Sequence, residues 1–140
     1  MRPLVVVDTN VLVSGLFRHP SPARDMLHQF RDRAFTLAIS PSLVGELVEV
    51  VTRPALRRLI PREIIDALLD NIREDAFLIQ PSHPVRVVAA DPDDDRLFAC
   101  ALAAEADCVV SGDHAVLAVK RWRDIPVISP RAFLAWLTAR

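Results

Sequence analysis

Four acidic residues occupy positions from which a chain can do chemistry: Asp8, Glu46, Asp95 and Asp113. Asp8 directly follows Leu4-Val5-Val6-Val7, an apolar run with three β-branched residues that predicts a short strand buried on both faces. Asp113 ends a similar pattern, in which Cys108-Val109-Val110 gives way to Ser111-Gly112-Asp113. Glu46 lies one turn into a helix expected after the strand Phe35–Ile39. At about 100° per residue it falls about 60° from Leu43, on the border of the apolar stripe Leu43, Leu47, Val50 and Val51. Asp95 belongs to the run Asp91-Pro92-Asp93-Asp94-Asp95, which opens a helix predicted through Ala106. It is in phase with Ala99, Leu102 and Ala106, with Phe98 beside them. Asp93 and Asp94 project roughly 160° and 100° away, toward solvent, where they complement the helix dipole.

Carboxylates gathered at one sheet edge repel one another, and burying even one is costly unless a cation, hydrogen bonds or a proton compensates. A divalent ion with oxygen ligands, Mg²⁺ or Mn²⁺, answers both problems. Such a site can activate water and hold the oxygens around a phosphorus during an in-line displacement. Singly, each acid has a plainer reading. Glu46 suits a surface helix, Asp95 a helix-dipole partner, and Asp113 a turn or N-cap. Asp8 is the hardest to explain that way.

The elements that must position these acids alternate along the chain. A helix over Val11–Phe17, with Asn10 or Thr9 near its N-cap, is interrupted by His19-Pro20-Ser21-Pro22. A second helix is expected from Pro22 to Arg33, with Ala23, Met26, Leu27 and Phe30 on one face. Ser40 caps and Pro41 opens a helix over Ser42–Arg53. Pro54 and Pro61 bracket an Arg-rich piece before a helix over Arg62–Glu74. Phe77–Ile79 and Ile125–Ile128 read as strands, and Ser129-Pro130 starts a terminal helix that packs Phe133, Leu134 and Leu137. The alternation predicts an α/β fold with a central, mainly parallel sheet and helices on both faces. Residues 1–140 are expected to form a single domain. In such folds ligands collect at the carboxyl ends of the strands.

The composition, 51% hydrophobic and 25% charged, is that of an ordinary globular protein. No apolar run approaches the roughly 20 residues of a membrane helix and no signal-peptide pattern is present, so a cytoplasmic protein without a membrane partner is expected. Cys100 and Cys108 read as buried free thiols in a reducing compartment. A net charge of −1 argues against coating nucleic acid by bulk attraction. Local basic strips remain. Arg53, Arg57 and Arg58, with Arg62, could hold RNA phosphates or form a solvated face, as could Lys120, Arg121 and Arg123. There is no Tyr, the Phe residues are dispersed, and Trp122 and Trp136 are isolated, with Trp136 read as packing, so no base-stacking platform is expected.

Taken together, four segments resemble the PIN domain family, and within it the VapC-type toxin components of bacterial toxin–antitoxin systems. They are Val7-Asp8-Thr9-Asn10-Val11-Leu12-Val13, Ser40-Pro41-Ser42-Leu43-Val44-Gly45-Glu46-Leu47, Asp91-Pro92-Asp93-Asp94-Asp95-Arg96-Leu97-Phe98 and Ala106-Asp107-Cys108-Val109-Val110-Ser111-Gly112-Asp113. The resemblance implies a Mg²⁺- or Mn²⁺-dependent ribonuclease on an α/β/α sandwich, with Asp8, Glu46, Asp95 and Asp113 as catalytic metal ligands. It also implies that Thr9, Asn10 and Ser111 are polar residues orienting the ligands or bound water. Many relatives carry a further acid two residues after the one matching Asp113. Ala115 stands there, which puts a second metal position in question. Asp91 and Asp94 are alternatives whose helix phase fits less well, and His114 is expected to face solvent.

The resemblance further implies an RNA substrate and a cognate antitoxin. Apolar positions at Val44, Val48, Leu56, Leu59 and Ile60 could serve a homodimer or an antitoxin segment. The competing readings are a housekeeping RNA-processing nuclease and a module that grips RNA or a protein without catalysis. A phosphoryl-transfer domain of the haloacid-dehalogenase or response-receiver kind also places an Asp after its first strand. The former expects an acid where Asn10 stands, and both expect a well-placed Lys, whereas Lys120 is the only one here.

Overall fold

The computed structural model describes residues 2–88 and 92–140. β1 (Leu4–Val7) runs into α1 (Thr9–Ser14), followed by α2 (Pro22–Arg31), β2 (Thr36–Ile39) and the helices α3 (Pro41–Val51), α4 (Pro54–Leu59) and α5 (Arg62–Asp75). After β3 (Phe77–Leu78), a 3-10 turn over Pro92–Asp94 leads into α6 (Asp95–Ala104). The chain ends with β4 (Cys108–Val110), α7 (His114–Leu117), β5 (Arg121–Trp122), β6 (Ile125–Ile128) and α8 (Pro130–Thr138). Asp91, one of the alternatives for a second metal position, lies outside the described residues.

The strands form one sheet in the order β3-β2-β1-β4-β6-β5, parallel except for the β5–β6 pair. The mainly parallel α/β sheet read from the sequence is therefore present. β1 lies between β2 and β4, with Val5 opposite Leu37 on one side and Cys108 on the other. The chain steps from β1 through β2 to β3 in one direction, then returns to place β4 on the far side of β1. That reversal makes the β1–β4 boundary a topological switch point, where the loops leaving adjacent strands diverge and open a crevice.

Packing explains why these strands are apolar throughout. Val5, Val6, Cys108, Val109 and Val110 are fully buried, as expected for strands covered on both faces. α6 crosses β1, β2 and β4, and its small buried residues Cys100, Ala101 and Ala104 permit that approach. α2 packs on α8. The aromatic residues dispersed in sequence are gathered in space, with ring centroids 5.8 Å apart for Phe30–Phe35, 5.1 Å for Phe35–Phe133 and 5.6 Å for Phe133–Trp136. Gly15, between α1 and α2, allows close contact, since an added Cβ would sit 2.7 Å from the Ala23 carbonyl oxygen.

Several local expectations are corrected. α1 begins at Thr9 with Asp8 as its N-cap, because the Asp8 carbonyl accepts the Val11 and Leu12 N–H groups and its carboxylate faces the Asn10 N–H. The Arg-rich piece is itself a helix, α4, started by Pro54. Ile60 is 1% exposed and belongs to the core, so it cannot contribute to a docking surface. The buried face of α6 runs through Leu97, Phe98, Ala101 and Ala104, whereas Ala99 and Leu102 are half-buried. β5 was not anticipated. It pairs with β6 across a two-residue turn, Arg123-Asp124, in which both residues have positive φ without the usual glycine. Trp122 is not isolated, since its ring meets Phe98 edge-on at 5.5 Å.

Two outcomes follow. Phe133→Ala, which empties the centre of the aromatic chain, should cost about 3–5 kcal/mol of stability in urea denaturation. Burial pushes both the Cys100 and Cys108 thiols from an ordinary value of 9.0 up to about 12, with Asp107 adding to the effect at Cys108. The native protein should therefore resist iodoacetamide at pH 8 and be alkylated once unfolded. The same shift favours the unfolded state as pH rises, so stability should fall between about pH 9 and 12, where unfolded thiols ionise and native ones do not.

Candidate active site

Asp8 is placed at the switch point. It is 5% exposed, and its backbone N–H donates to the Val110 carbonyl at 2.8 Å, adding a rung to the β1–β4 ladder. One carboxylate oxygen, Oδ2, accepts a hydrogen bond of 2.8 Å from the Ser111 hydroxyl, and Oδ1 faces the Asn10 N–H at 3.4 Å. Ser111 is fully buried, and its Oγ also accepts the Asp113 N–H at 3.0 Å. One hydroxyl thus joins Asp8 to Asp113, residues that leave adjacent strands. Asp113 caps α7, its Oδ1 accepting the Ala115 N–H at 2.7 Å and the Val116 N–H at 3.3 Å. The turn or N-cap reading of Asp113 is therefore the role its carboxylate plays in the fold.

Asp95, at the first position of α6, is 9% exposed. Its Oδ1 accepts backbone N–H groups from Val87 at 2.9 Å and Val88 at 2.7 Å, which ties the segment after β3 to the start of the helix. The helix phase marked Asp95 as inward, and these two amides supply the physical reason a carboxylate is tolerated there. Asp93 is exposed and Asp94 half-buried.

Glu46 is half-buried and held by Arg96, whose Nη2 donates to Oε2 at 2.9 Å. Arg96 follows Asp95 and was missed in the sequence. Its guanidinium also donates to Ser42 Oγ at 3.1 Å and to the Asp93 carbonyl at 3.2 Å. The available signal was a basic residue directly after the inward acid, at the start of a helix.

The remaining residues are placed as follows. Thr9, the first residue of α1, is 2% exposed, while the Asn10 side chain is exposed and its backbone N–H makes the approach to Asp8. Arg53, Arg57 and Arg58 are exposed on and beside α4, Arg53 pairing with Glu49 at 3.4 Å. His114 is exposed. A groove of about 950 Å³ lies between α2 and α5, and none of the four acids lines it.

The donors at the switch point are carboxylate, hydroxyl and carbonyl oxygens, the set that suits a hard divalent cation. Among the described residues no three acidic, His or Cys side chains are close enough to hold one ion together. The arrangement fits such an ion in donor chemistry, with the acids tied to amides, a hydroxyl and a guanidinium.

The PIN domain sequence profile matches residues 4–115. The chain belongs to the PIN domain family. Members of this family are generally nucleases and typically use divalent metals. The PIN fold also appears in solved structures of low sequence identity. VapBC2 from Rickettsia felis, bound to a DNA fragment from its promoter, matches with a TM-score of 0.57 at 17% identity, covering 90% of this chain and 98% of that one. PAE2754 from Pyrobaculum aerophilum matches at 0.61 and 14%, covering 99% and 91%. FitAcB from Neisseria gonorrhoeae matches at 0.50 and 17%, covering 91% and 98%. No curated protein sequence matches significantly. No described helix of this PIN domain is long and apolar enough to cross a membrane.

Ser111→Ala should remove the bridge between Asp8 and Asp113 and leave a buried carboxylate short of a donor. A loss of about 1–3 kcal/mol is expected in chemical denaturation. Asp95→Ala should orphan the Val87 and Val88 amides, seen as faster hydrogen exchange at those two positions than in wild type.

Proposed function

We propose that this PIN domain is a metal-dependent endoribonuclease, the toxin of a type II toxin–antitoxin pair, acting in the cytoplasm. The observation that carries the reading is the Asp8–Ser111–Asp113 connection across the β1–β4 switch point. Asp8, Glu46, Asp95 and Asp113 would hold Mg²⁺ or Mn²⁺. The ion would supply Lewis acidity to a phosphodiester and acidify a water molecule.

The chain's own residues prepare that chemistry. The Ser111 hydroxyl fixes the rotamer of Asp8, and the α7 amides fix that of Asp113. The amides of Val87 and Val88 do the same for Asp95. Thr9, buried at the first position of α1, would help orient the ligands beside Asp8. Arg57 and Arg58, exposed on α4, are suited to RNA phosphates outside the crevice, with Arg53 beside them.

An antitoxin partner is supported by the resemblance to VapC-type toxins and by the groove between α2 and α5. There Leu59, 67% exposed, and Ile64, 44% exposed, offer apolar area to a partner segment. A homodimer would use the partly exposed Val44, Val48 and Leu56, and static light scattering returning a monomer would remove that part of the proposal. The second reading, a binding module without catalysis, is favoured by Ala115, which puts no acid at that position.

Mn²⁺ should raise the melting temperature, a hundredfold excess over Kd adding about 2.7 kcal/mol of stability. Asp8→Asn should abolish Mn²⁺-dependent cleavage of a generic RNA while retaining a cooperative melt. Cleavage retained in that variant would locate the chemistry elsewhere, and no cleavage by wild type at millimolar Mn²⁺ would favour the binding module.

A further inference from the structure

The Arg96–Glu46 pair stands apart from the other ion pairs of the described residues. The others have N–O separations of 3.4–3.7 Å, and in each at least one partner is 59% exposed or more. Two of those join residues within α5, at i,i+4 and i,i+3, and a third joins Glu49 of α3 to Arg53 just beyond that helix. Arg96 and Glu46 are 2.9 Å apart, only 37% and 31% exposed, and join α3 to α6 across fifty positions of sequence. The guanidinium is held on three sides. Nε donates to the Asp93 carbonyl, Nη1 to Ser42 Oγ and Nη2 to Glu46 Oε2. A planar fork with several donors can satisfy three acceptors at once, which a lysine ammonium on a flexible stem does poorly. Ser42 lies one helical turn before Glu46, so Arg96 spans the first turns of α3 and grips its acid from the α6 side.

We infer that Arg96 is a positioning residue that competes with a divalent cation for the Glu46 carboxylate. This rests on the reading of the four acids as a cation site. A guanidinium and a metal ion seek the same oxygen, so Glu46 can serve an ion fully only after its bond to Arg96 is broken. Asp8, Asp95 and Asp113 differ, because their bonds come from neutral backbone amides and a hydroxyl, which can orient a carboxylate without neutralising it. Glu46 is therefore the conditional ligand of the set, and Arg96 sets the condition. The pair is partly open to solvent, which permits exchange, and its short distance and three-point anchoring make the competition measurable.

The test is calorimetric titration of the intact protein with Mn²⁺ alone, without RNA. Arg96→Gln should tighten Mn²⁺ binding about two- to fivefold, the range of a partly exposed charge pair. Arg96→Lys should fall between the variant and wild type, since it keeps the charge and loses the fork. In a Glu46→Gln background, Arg96→Gln should have much less effect, because the acid through which it acts is gone. That contrast separates competition at Glu46 from a general loss of positive charge near the crevice, and a purely structural role would weaken binding. Unchanged or weakened affinity in a folded Arg96→Gln protein would overturn the inference while leaving the cation site standing. Equal tightening in both backgrounds would also overturn it. No Mn²⁺ binding by wild type would overturn the inference together with the metal-dependent reading on which it rests.

Discussion

A buried carboxylate is tolerated only where its lone pairs are met, and Asp8 meets that constraint at the end of β1. Its backbone N–H extends the ladder to Val110, its carbonyl starts α1, and its carboxylate takes the Ser111 hydroxyl. These three roles belong to different levels of structure and must agree in register. A slip of one residue between β1 and β4 would turn the alternating side chains to the opposite faces and separate Asp8 from Ser111. The apolar strands and the crevice chemistry are therefore one requirement, and the rest of the fold satisfies it.

The other acids are held by different means, and the difference matters. Asp113 and Asp95 each accept two backbone amides, so their positions follow from where the main chain runs. Glu46 depends on the side chain of Arg96, which itself depends on Ser42 and on the turn containing Asp93. A bond between two flexible side chains is the more readily exchanged of the two arrangements. Three of the four acids are thus held by the main chain or a buried hydroxyl, and Glu46 by a side chain from another helix.

Much of this was legible in the chain itself. The β-branched runs gave the strands, Ser40-Pro41 gave the start of α3, and helix phase singled out Asp95 from its neighbours. What could not be read was long-range. Nothing local says that Ser111 would donate to Asp8 across two strands, that Val87 and Val88 would turn their amides to Asp95, or that Arg96 would reach fifty residues back to Glu46. The β5–β6 hairpin was hidden because Arg123-Asp124 lacks the glycine that normally marks such a turn. Ile60 appeared to belong to a surface strip because it follows a helix too short for periodicity to show which side faces the core.

The pairing of β1 with β4 joins residues about a hundred positions apart, and α6 must lie across both strands and β2. Contacts of that separation form late, because the intervening loop must close before they return any free energy. Local hairpins and helices can come and go while the chain is still incomplete, but Asp8 finds Ser111 only when β4 docks. A partly folded chain therefore has acids and no crevice. Whatever chemistry these acids perform requires that long-range pairing, which no local segment of the chain supplies by itself.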